Sequence, residues 1–213
     1  MQRKIWYGLS FVLFGALVGF VVWTYPSLPP KVPSHWNLYG EVDAYSYPLS
    51  SSIVIPALAL LITTLLIGLA QFEKEPRVAD ALIVTSTFLM AFLTAVHVVI
   101  TLIALGNDLR LERFITACIG LLFIGIGRLM HGIPPNGYVG IRTYWTLQNP
   151  IVWAETHELS ARLMPLAGVV ALIAALLPIP AAYLFGVLFT AILLSVGIPS
   201  IYAYRRYHAL LGA

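Results

Sequence analysis

The sequence is short of charged residues. Only 10% of its 213 residues are Asp, Glu, Lys or Arg, whereas 60% are hydrophobic. Soluble domains have roughly a quarter charged residues, so this chain has too little polar surface to cover a water-soluble globule. An integral membrane protein is predicted instead. The formal net charge of +3 is scattered between apolar runs rather than gathered on one stripe, which excludes direct nucleic-acid binding.

The sequence also lacks the residue groupings of common metal and catalytic sites. Its single cysteine, Cys118, excludes an intrachain disulfide or a CxxC pair and is expected to be a small buried hydrophobe. There is no HExxH string and no serine or cysteine nucleophile in a recognisable context. No cofactor and no bound metal are predicted. The absence of a central Asp or Glu from every apolar run counts against an ion-coupled carrier.

Six apolar runs account for most of the chain. A membrane span needs ~20 residues at a rise of ~1.5 Å each, and we expect an all-α integral membrane protein with six transmembrane helices in a single domain over residues 1–213. Asp80 is predicted to lie in the first turn of the third helix, where a carboxylate suits the helix dipole. The predicted helices cover about residues 5–24, 53–72, 81–105, 114–130, 163–177 and 181–204.

The distribution of Lys and Arg predicts the orientation of these helices. Six crossings place both termini on one side of the membrane, and nine of the 12 Lys and Arg residues fall on that side. The positive-inside tendency therefore favours an arrangement with both termini in the cytoplasm of a multi-pass cell-membrane protein. The loop at 25–52 then faces outward, and the loop at 131–162 faces the cytoplasm.

The outer loop at 25–52 is predicted to form a small cap on the helix ends. Tyr39-Gly40 indicates a turn, and the alternation on both sides of it indicates a short hairpin. Across that hairpin His35 and Asp43 are expected to meet. Two ligands are too few for a stable zinc site, so the pair is expected to hold the cap together, with a metal as the alternative. A binding surface for an extracellular peptide fits either interpretation.

The loop at 131–162 gathers polar residues that the rest of the chain lacks. Asn149-Pro150 indicates an N-cap followed by proline at the first helical position, and Glu158 and Arg162 are i,i+4 partners. The pattern predicts a small interfacial fold whose helix lies along the membrane before turning down near Pro165. An alternative is a membrane-embedded enzyme acting on a lipid or peptide. Its candidate residues are His157, Glu155 and Arg142.

His97 is the one histidine at membrane depth. Thr94 and Thr101 lie one turn on either side of it and share its helix face. An ionisable group at this depth is a functional candidate. The alternative is a neutral imidazole that hydrogen-bonds to a neighbouring helix. A small-solute carrier would need a water-accessible path past His97.

The two loops together resemble one family, the SdpI-like immunity proteins. The outer segment is similar to the short domain of unknown function found near the N-terminus of its members, and the resemblance covers nearly the whole chain. In the outer loop the matching residues are Pro33, His35, Asn37, Gly40 and Asp43. In the second loop they are Asn136, Gly140, Ile141, Arg142, Thr143, Trp145, Thr146, Trp153, Thr156 and His157.

The resemblance implies a bacterial, non-enzymatic membrane protein that protects its host from a secreted, membrane-active peptide, the sporulation-delaying toxin. It further implies that such a protein acts as a receptor, holding a small DNA-binding repressor at the membrane once toxin is sensed. The expected partners are therefore the lipid bilayer, an extracellular peptide toxin and a cytoplasmic repressor-type protein. The matching residues of the two loops are the expected binding sites.

Overall fold

The computed structural model describes residues 3–212, and within them six helices are long and apolar enough to cross a membrane. The sixth of these consists of α7 and α8 joined through a π-helical turn at Leu193–Gly197. A short 3-10 turn, Tyr25–Ser27, follows α1. The elements are α1 (Arg3–Thr24), β1 (Val32–Trp36), β2 (Val42–Ser46), α2 (Pro48–Phe72), α3 (Pro76–Ala104), α4 (Leu111–Met130), α5 (Tyr144–Gln148), α6 (Pro150–Leu176), α7 (Ala181–Ile192) and α8 (Ile198–Leu211).

Several helices begin earlier than their apolar runs. Pro48, Pro76 and Pro150 each lie in the first turn of a helix, where a missing N–H costs nothing and the fixed φ suits the helix. Asp80 was predicted in the first turn of α3. That prediction is wrong because α3 begins at Pro76, and Asp80 instead accepts a hydrogen bond from Arg3 Nε at 2.5 Å.

The prediction of a separate interfacial helix before residue 163 is also wrong. Helix α6 runs unbroken from Pro150 to Leu176 through Pro165. A proline inside a helix removes one backbone hydrogen bond and is tolerated where neighbouring helices accommodate it. Here the ring lies against Gly127 of α4, where an added Cβ would come within 2.6 Å of Pro165 Cδ.

Helices α4 and α6 form the most extensive contact of the bundle. Gly120 and Gly168 meet there backbone to backbone, because a Cβ on Gly120 would lie 2.7 Å from the Gly168 carbonyl oxygen. A Cβ on Gly168 would lie 2.5 Å from the carbonyl oxygen of Gly120. Small residues of this kind allow two helices to approach closely. Close packing matters in a membrane because the hydrophobic effect does not drive helices together in lipid.

The bundle has two ends, which we call the terminal end and the hairpin end. The terminal end carries the start of α1, the 73–75 turn and the 131–149 loop. Arg77, in the first turn of α3, joins that helix to the 131–149 loop, because its Nη2 donates to the carbonyl of His131 at 2.8 Å. The hairpin end carries strands β1 and β2, which pair antiparallel, and the 105–110 and 177–180 turns. The two loops singled out by the sequence therefore lie at opposite ends.

Candidate functional site

Asn136 shapes the first part of the 131–149 loop. Its side-chain oxygen accepts hydrogen bonds from the backbone N–H groups of Tyr138 and Val139, at 2.8 and 2.7 Å. Its amide nitrogen donates to the carbonyls of Pro134 and Val139, at 2.9 and 3.0 Å. One side chain thus satisfies four backbone groups, as asparagine does in tight turns. The loop has a defined shape because of it.

His157 connects this loop to α6. Its Nε2 accepts the backbone N–H of Ile141 at 2.9 Å, and its Nδ1 lies 2.8 Å from the carbonyl of Trp153. These two contacts fix the tautomer, because Nδ1 must then carry the proton. The ring is only 1% exposed. Gly140 passes directly over it with a φ of +122°, and an added Cβ would overlap Nε2.

Thr143 and Thr146 form a reciprocal N-terminal cap on the short helix α5. The Thr143 hydroxyl accepts the backbone N–H of Thr146 at 3.3 Å, and the Thr146 hydroxyl accepts that of Thr143 at 3.0 Å. Thr146 also donates to the carbonyl of Ile141 at 2.8 Å. Trp145, on the same helix, meets Tyr204 of α8 edge to face with ring centroids 5.1 Å apart. Helix α5 is therefore fixed both to the preceding part of the loop and to α8.

Trp153 seats the beginning of α6 in the core. It is fully buried, and its indole N–H donates to the carbonyl of Ile133 at 2.8 Å. The ring stacks on His157 at a centroid distance of 4.1 Å. Its apolar neighbours come from α2 and the start of α3, with Val78 and Ala79 among them. The loop is thus fixed to the first half of the bundle as well as to α6.

Two ionic clusters at the terminal end were not predicted as such. Glu155 accepts hydrogen bonds from Arg206 Nε at 2.7 Å and from the Tyr202 hydroxyl at 2.9 Å, which joins α6 to α8. Glu158 pairs with Arg162 at 3.0 Å, as the i,i+4 spacing predicted, and also meets His131 at 2.6 Å. A groove of about 730 Å³ runs between these clusters, with Glu155, Glu158 and Arg162 in its walls.

Arg142 differs from the other residues of this loop. Its side chain is exposed, and within residues 3–212 it makes no ion pair and no hydrogen bond. It lines the mouth of a cavity of about 520 Å³ that extends down between α2, α3, α4 and α6. Four exposed apolar or aromatic residues lie near Arg142 in the sequence, namely Tyr138, Tyr144, Leu147 and Ile151. We call these five residues the loop face.

The hairpin contains the predicted contact between His35 and Asp43, whose Nδ1 and Oδ1 atoms are 2.5 Å apart. Asn37 organises the turn, since its side-chain oxygen accepts the backbone N–H groups of Tyr39 and Glu41, at 2.9 and 3.1 Å. Gly40 completes the turn at a φ of +81°. The described chain contains no cluster of three His, Cys, Asp or Glu side chains suited to a metal.

Two regions of the chain match known protein families, and each region contains one of the two loops. Residues 132–203 match the SdpI/YfhL protein family, and residues 12–60 match a domain of unknown function, DUF1648. Over its full length of 213 residues the chain is 24% identical to "Immunity protein SdpI" of Bacillus subtilis (strain 168), which is also covered completely. The chain is thus similar to the SdpI/YfhL family over residues 132–203. No solved structure matches it.

The two matched regions correspond to separate parts of the bundle. The DUF1648 region holds most of α1, the hairpin and the first half of α2. The SdpI/YfhL region holds the 131–149 loop, α6, α7 and the start of α8. Pro33 is buried in β1, and Thr156 is buried in α6 with a hydroxyl that has no hydrogen-bond partner among the described residues. These similarities and the six apolar helices together show a multi-pass cell-membrane protein.

The three residues of the enzyme alternative are not brought together in this protein. His157 uses both ring nitrogens inside the loop, and Glu155 is engaged by Arg206 and Tyr202. Arg142 lines a different cavity from Glu155. A general base must lie within reach of the proton that it removes, and His157 has no free nitrogen for this. The geometry does not favour catalysis by these residues.

His97 is 3% exposed and packs edge-on against Phe20 of α1, at a ring-centroid distance of 6.4 Å. Its Nδ1 atom and the hydroxyl of Thr94 are buried without a hydrogen-bond partner in residues 3–212. The predicted hydrogen bond to a neighbouring helix is therefore absent at Nδ1. The tight packing also gives no support to a water path past this residue.

Proposed function

We propose that this protein is an immunity protein that protects its host from a secreted, membrane-active peptide such as the sporulation-delaying toxin. The observation that carries the proposal is the full-length match to "Immunity protein SdpI", with both chains covered completely. A match confined to one loop would support only a shared fold element. Here both loops and all six membrane-capable helices fall within it.

An apolar groove on the membrane face is our proposed contact for the toxin. The groove, of about 630 Å³, lies between α6 and α7, and its mainly aliphatic lining includes the small residues Ala167, Ala182 and Gly186. Small residues let a second helix approach closely in lipid, where packing replaces the hydrophobic drive. A membrane-inserted peptide helix therefore has a surface on which to pack, with the hairpin as its second contact.

Expression in toxin-sensitive cells tests this function. Cells that produce the protein should survive toxin that kills the parent strain, and unchanged killing at confirmed membrane expression would remove the immunity claim. Gly186→Leu should abolish protection without unfolding the protein, because a Cβ at Gly186 has no neighbour within 4 Å and the larger side chain fills the groove. Gly68→Leu is the matched control, since Gly68 is equally free of neighbours and lies on α2.

The loop face is our proposed docking surface for a small DNA-binding repressor. Aromatic residues and arginine are enriched in protein interfaces, and the loop face combines Tyr138 and Tyr144 with the unpaired Arg142. Arg142→Ala should release a fluorescently tagged repressor from the membrane fraction while the melting temperature stays unchanged. Arg205→Ala removes another exposed charge at the same end and should leave the repressor bound. Equal retention by both variants would contradict this docking surface.

Docking of this kind requires the terminal end to face the cytoplasm. The nine Lys and Arg residues at that end, out of 12 in the chain, support this orientation. Single cysteines introduced at Tyr39 and Gln148, in a Cys118→Ser background, report it directly. In intact cells an impermeant maleimide should label the cysteine at 39 and not the one at 148. The opposite labelling would reverse the proposed roles of the two loops.

A further inference from the structure

The hairpin covers a cavity of about 270 Å³ at the hairpin end of the bundle. Strand β1 and its turn form one wall, and residues from α3 and from the beginnings of α4 and α7 form the others. The lining is mainly apolar, with Ile115 from α4 and with Leu184 and Phe185 from α7. Glu112 contributes a carboxylate to this lining, and Trp36 contributes an aromatic ring. The cavity thus has the composition of a small-ligand site, with an apolar body and few polar groups.

Glu112 is the unusual member of this lining. Its side chain is only 9% exposed, and its one ion-pair contact is Arg110 Nη1 at 4.0 Å, on a side chain that is 71% exposed. Within residues 3–212 the carboxylate accepts no hydrogen bond. Burying a charged group without hydrogen bonds is unfavourable, and the positive end of the α4 dipole offsets only part of that penalty. The carboxylate therefore lacks a close cation.

No basic residue in the cavity lining supplies a closer cation than Arg110. His35 lines the same cavity, but its Nδ1 is engaged by Asp43 at 2.5 Å. Gly40 lies directly over Glu112, since an added Cβ would be 3.3 Å from Oε2 and 3.3 Å from Cβ of Ala181. The turn of the hairpin therefore covers the carboxylate with backbone and leaves it facing the apolar cavity.

We propose that this cavity binds an organic cation, namely a primary ammonium group carried on an apolar body. The ammonium pairs with Glu112, and the apolar body lies along Ile115 and Leu184. The face of Trp36 adds a favourable surface for the same charge. A volume of about 270 Å³ is below the usual range of about 300–1,000 Å³ for small-molecule pockets. The occupant is therefore a small amine or a single lysine side chain. This assignment does not depend on the immunity role.

Titration of the purified full-length protein with n-hexylamine tests the proposal, and n-hexanol is the uncharged probe of matched length. Binding is followed by tryptophan fluorescence, and Trp36→Phe identifies the part of the signal that comes from this cavity. Hydrogen bonds to charged groups contribute about 1.5–3 kcal/mol, so hexylamine should saturate the signal at a concentration at least about tenfold lower than hexanol. Equal affinities for the two probes would overturn the proposal.

Glu112→Gln should remove the preference for the amine while hexanol binding is kept. Asp108→Asn is the control, because Asp108 is an exposed acid four residues away and its loss should leave the preference intact. Should Glu112→Gln fail to fold, Arg110→Ala still decides the matter. Removing the nearest protein cation should tighten hexylamine binding, and unchanged or weaker binding would refute the assignment of Glu112.

The two sources of the ammonium group are separated by competition in vesicles that contain the protein. An apolar transmembrane peptide with one lysine is compared with the same peptide carrying norleucine at that position. Displacement of hexylamine by the lysine peptide alone identifies a peptide side chain as the occupant. Binding of hexylamine without displacement by either peptide identifies a free amine. Equal displacement by both peptides would contradict recognition of the charge.

Discussion

Gly140→Ala is a sharp perturbation of the 131–149 loop. Gly140 has a φ of +122°, a backbone conformation that is open to glycine and strained for residues with a Cβ. A methyl group there would also overlap Nε2 of His157, which accepts the backbone N–H of Ile141. The substitution must therefore move either the loop or the imidazole. Either movement breaks the hydrogen bond that joins the loop to α6.

The expected loss of folding stability in Gly140→Ala has two parts. A strained backbone conformation contributes about 1–3 kcal/mol, and a buried N–H left without a partner contributes about 1–3 kcal/mol more. Together they lower the free energy of unfolding by about 2–6 kcal/mol. In a chain of this length 1 kcal/mol corresponds to roughly 2–4 °C, so the melting temperature should fall by at least about 4 °C.

Thermal unfolding in detergent and amide hydrogen exchange measure this effect. Gly137→Ala is the matched control in the same loop, because a Cβ at Gly137 meets nothing within 4 Å. Gly140→Ala should lower the melting temperature and speed exchange at the Ile141 amide, whereas Gly137→Ala should change neither. If the two variants unfold and exchange alike, the contact between the loop and His157 does not organise this region.

Two further predictions concern packing. His157→Phe keeps an aromatic ring in place but leaves the Ile141 N–H without an acceptor, and thermal unfolding should show a loss of about 1–3 kcal/mol; unchanged stability would contradict the hydrogen bond. Gly168→Ala places a Cβ 2.5 Å from the Gly120 carbonyl oxygen and forces α4 and α6 apart. Its melting temperature should fall, whereas Gly68→Ala, with no neighbour within 4 Å, should melt like the unmodified protein.

The sequence was sufficient to predict the features that depend on local chemistry. Six apolar runs predicted six membrane-capable helices. Asn149-Pro150 predicted the start of α6, where the Asn149 side chain accepts the N–H groups of Ile151 and Val152. The turn at Tyr39-Gly40 and the contact between His35 and Asp43 were likewise predicted and confirmed. Each of these involves residues within one element or one hairpin.

The errors came from features that depend on distant parts of the chain. Apolar runs stop where polar residues begin, yet the helix continues, so α6 extends 13 residues before the predicted start at 163. Pro165 was expected to redirect the chain, and its accommodation against Gly127 depends on another helix. The pair of Glu155 and Arg206 joins residues 51 positions apart. No spacing rule along one helix predicts such a contact.

Most residues of the 131–149 loop and the start of α6 form hydrogen bonds or packing contacts within the protein itself. The Asn136 side chain accepts a backbone hydrogen bond in the turn, and His157 accepts the backbone N–H of Ile141. Trp153 seats α6 against the ends of α2 and α3. Loss of protection after substitution of any of these three would follow from collapse of the loop and would identify no contact with a partner. Arg142 is different, because the fold makes no use of its charge. A change at Arg142 that alters function at constant stability therefore reports recognition, and the same change at His157 does not.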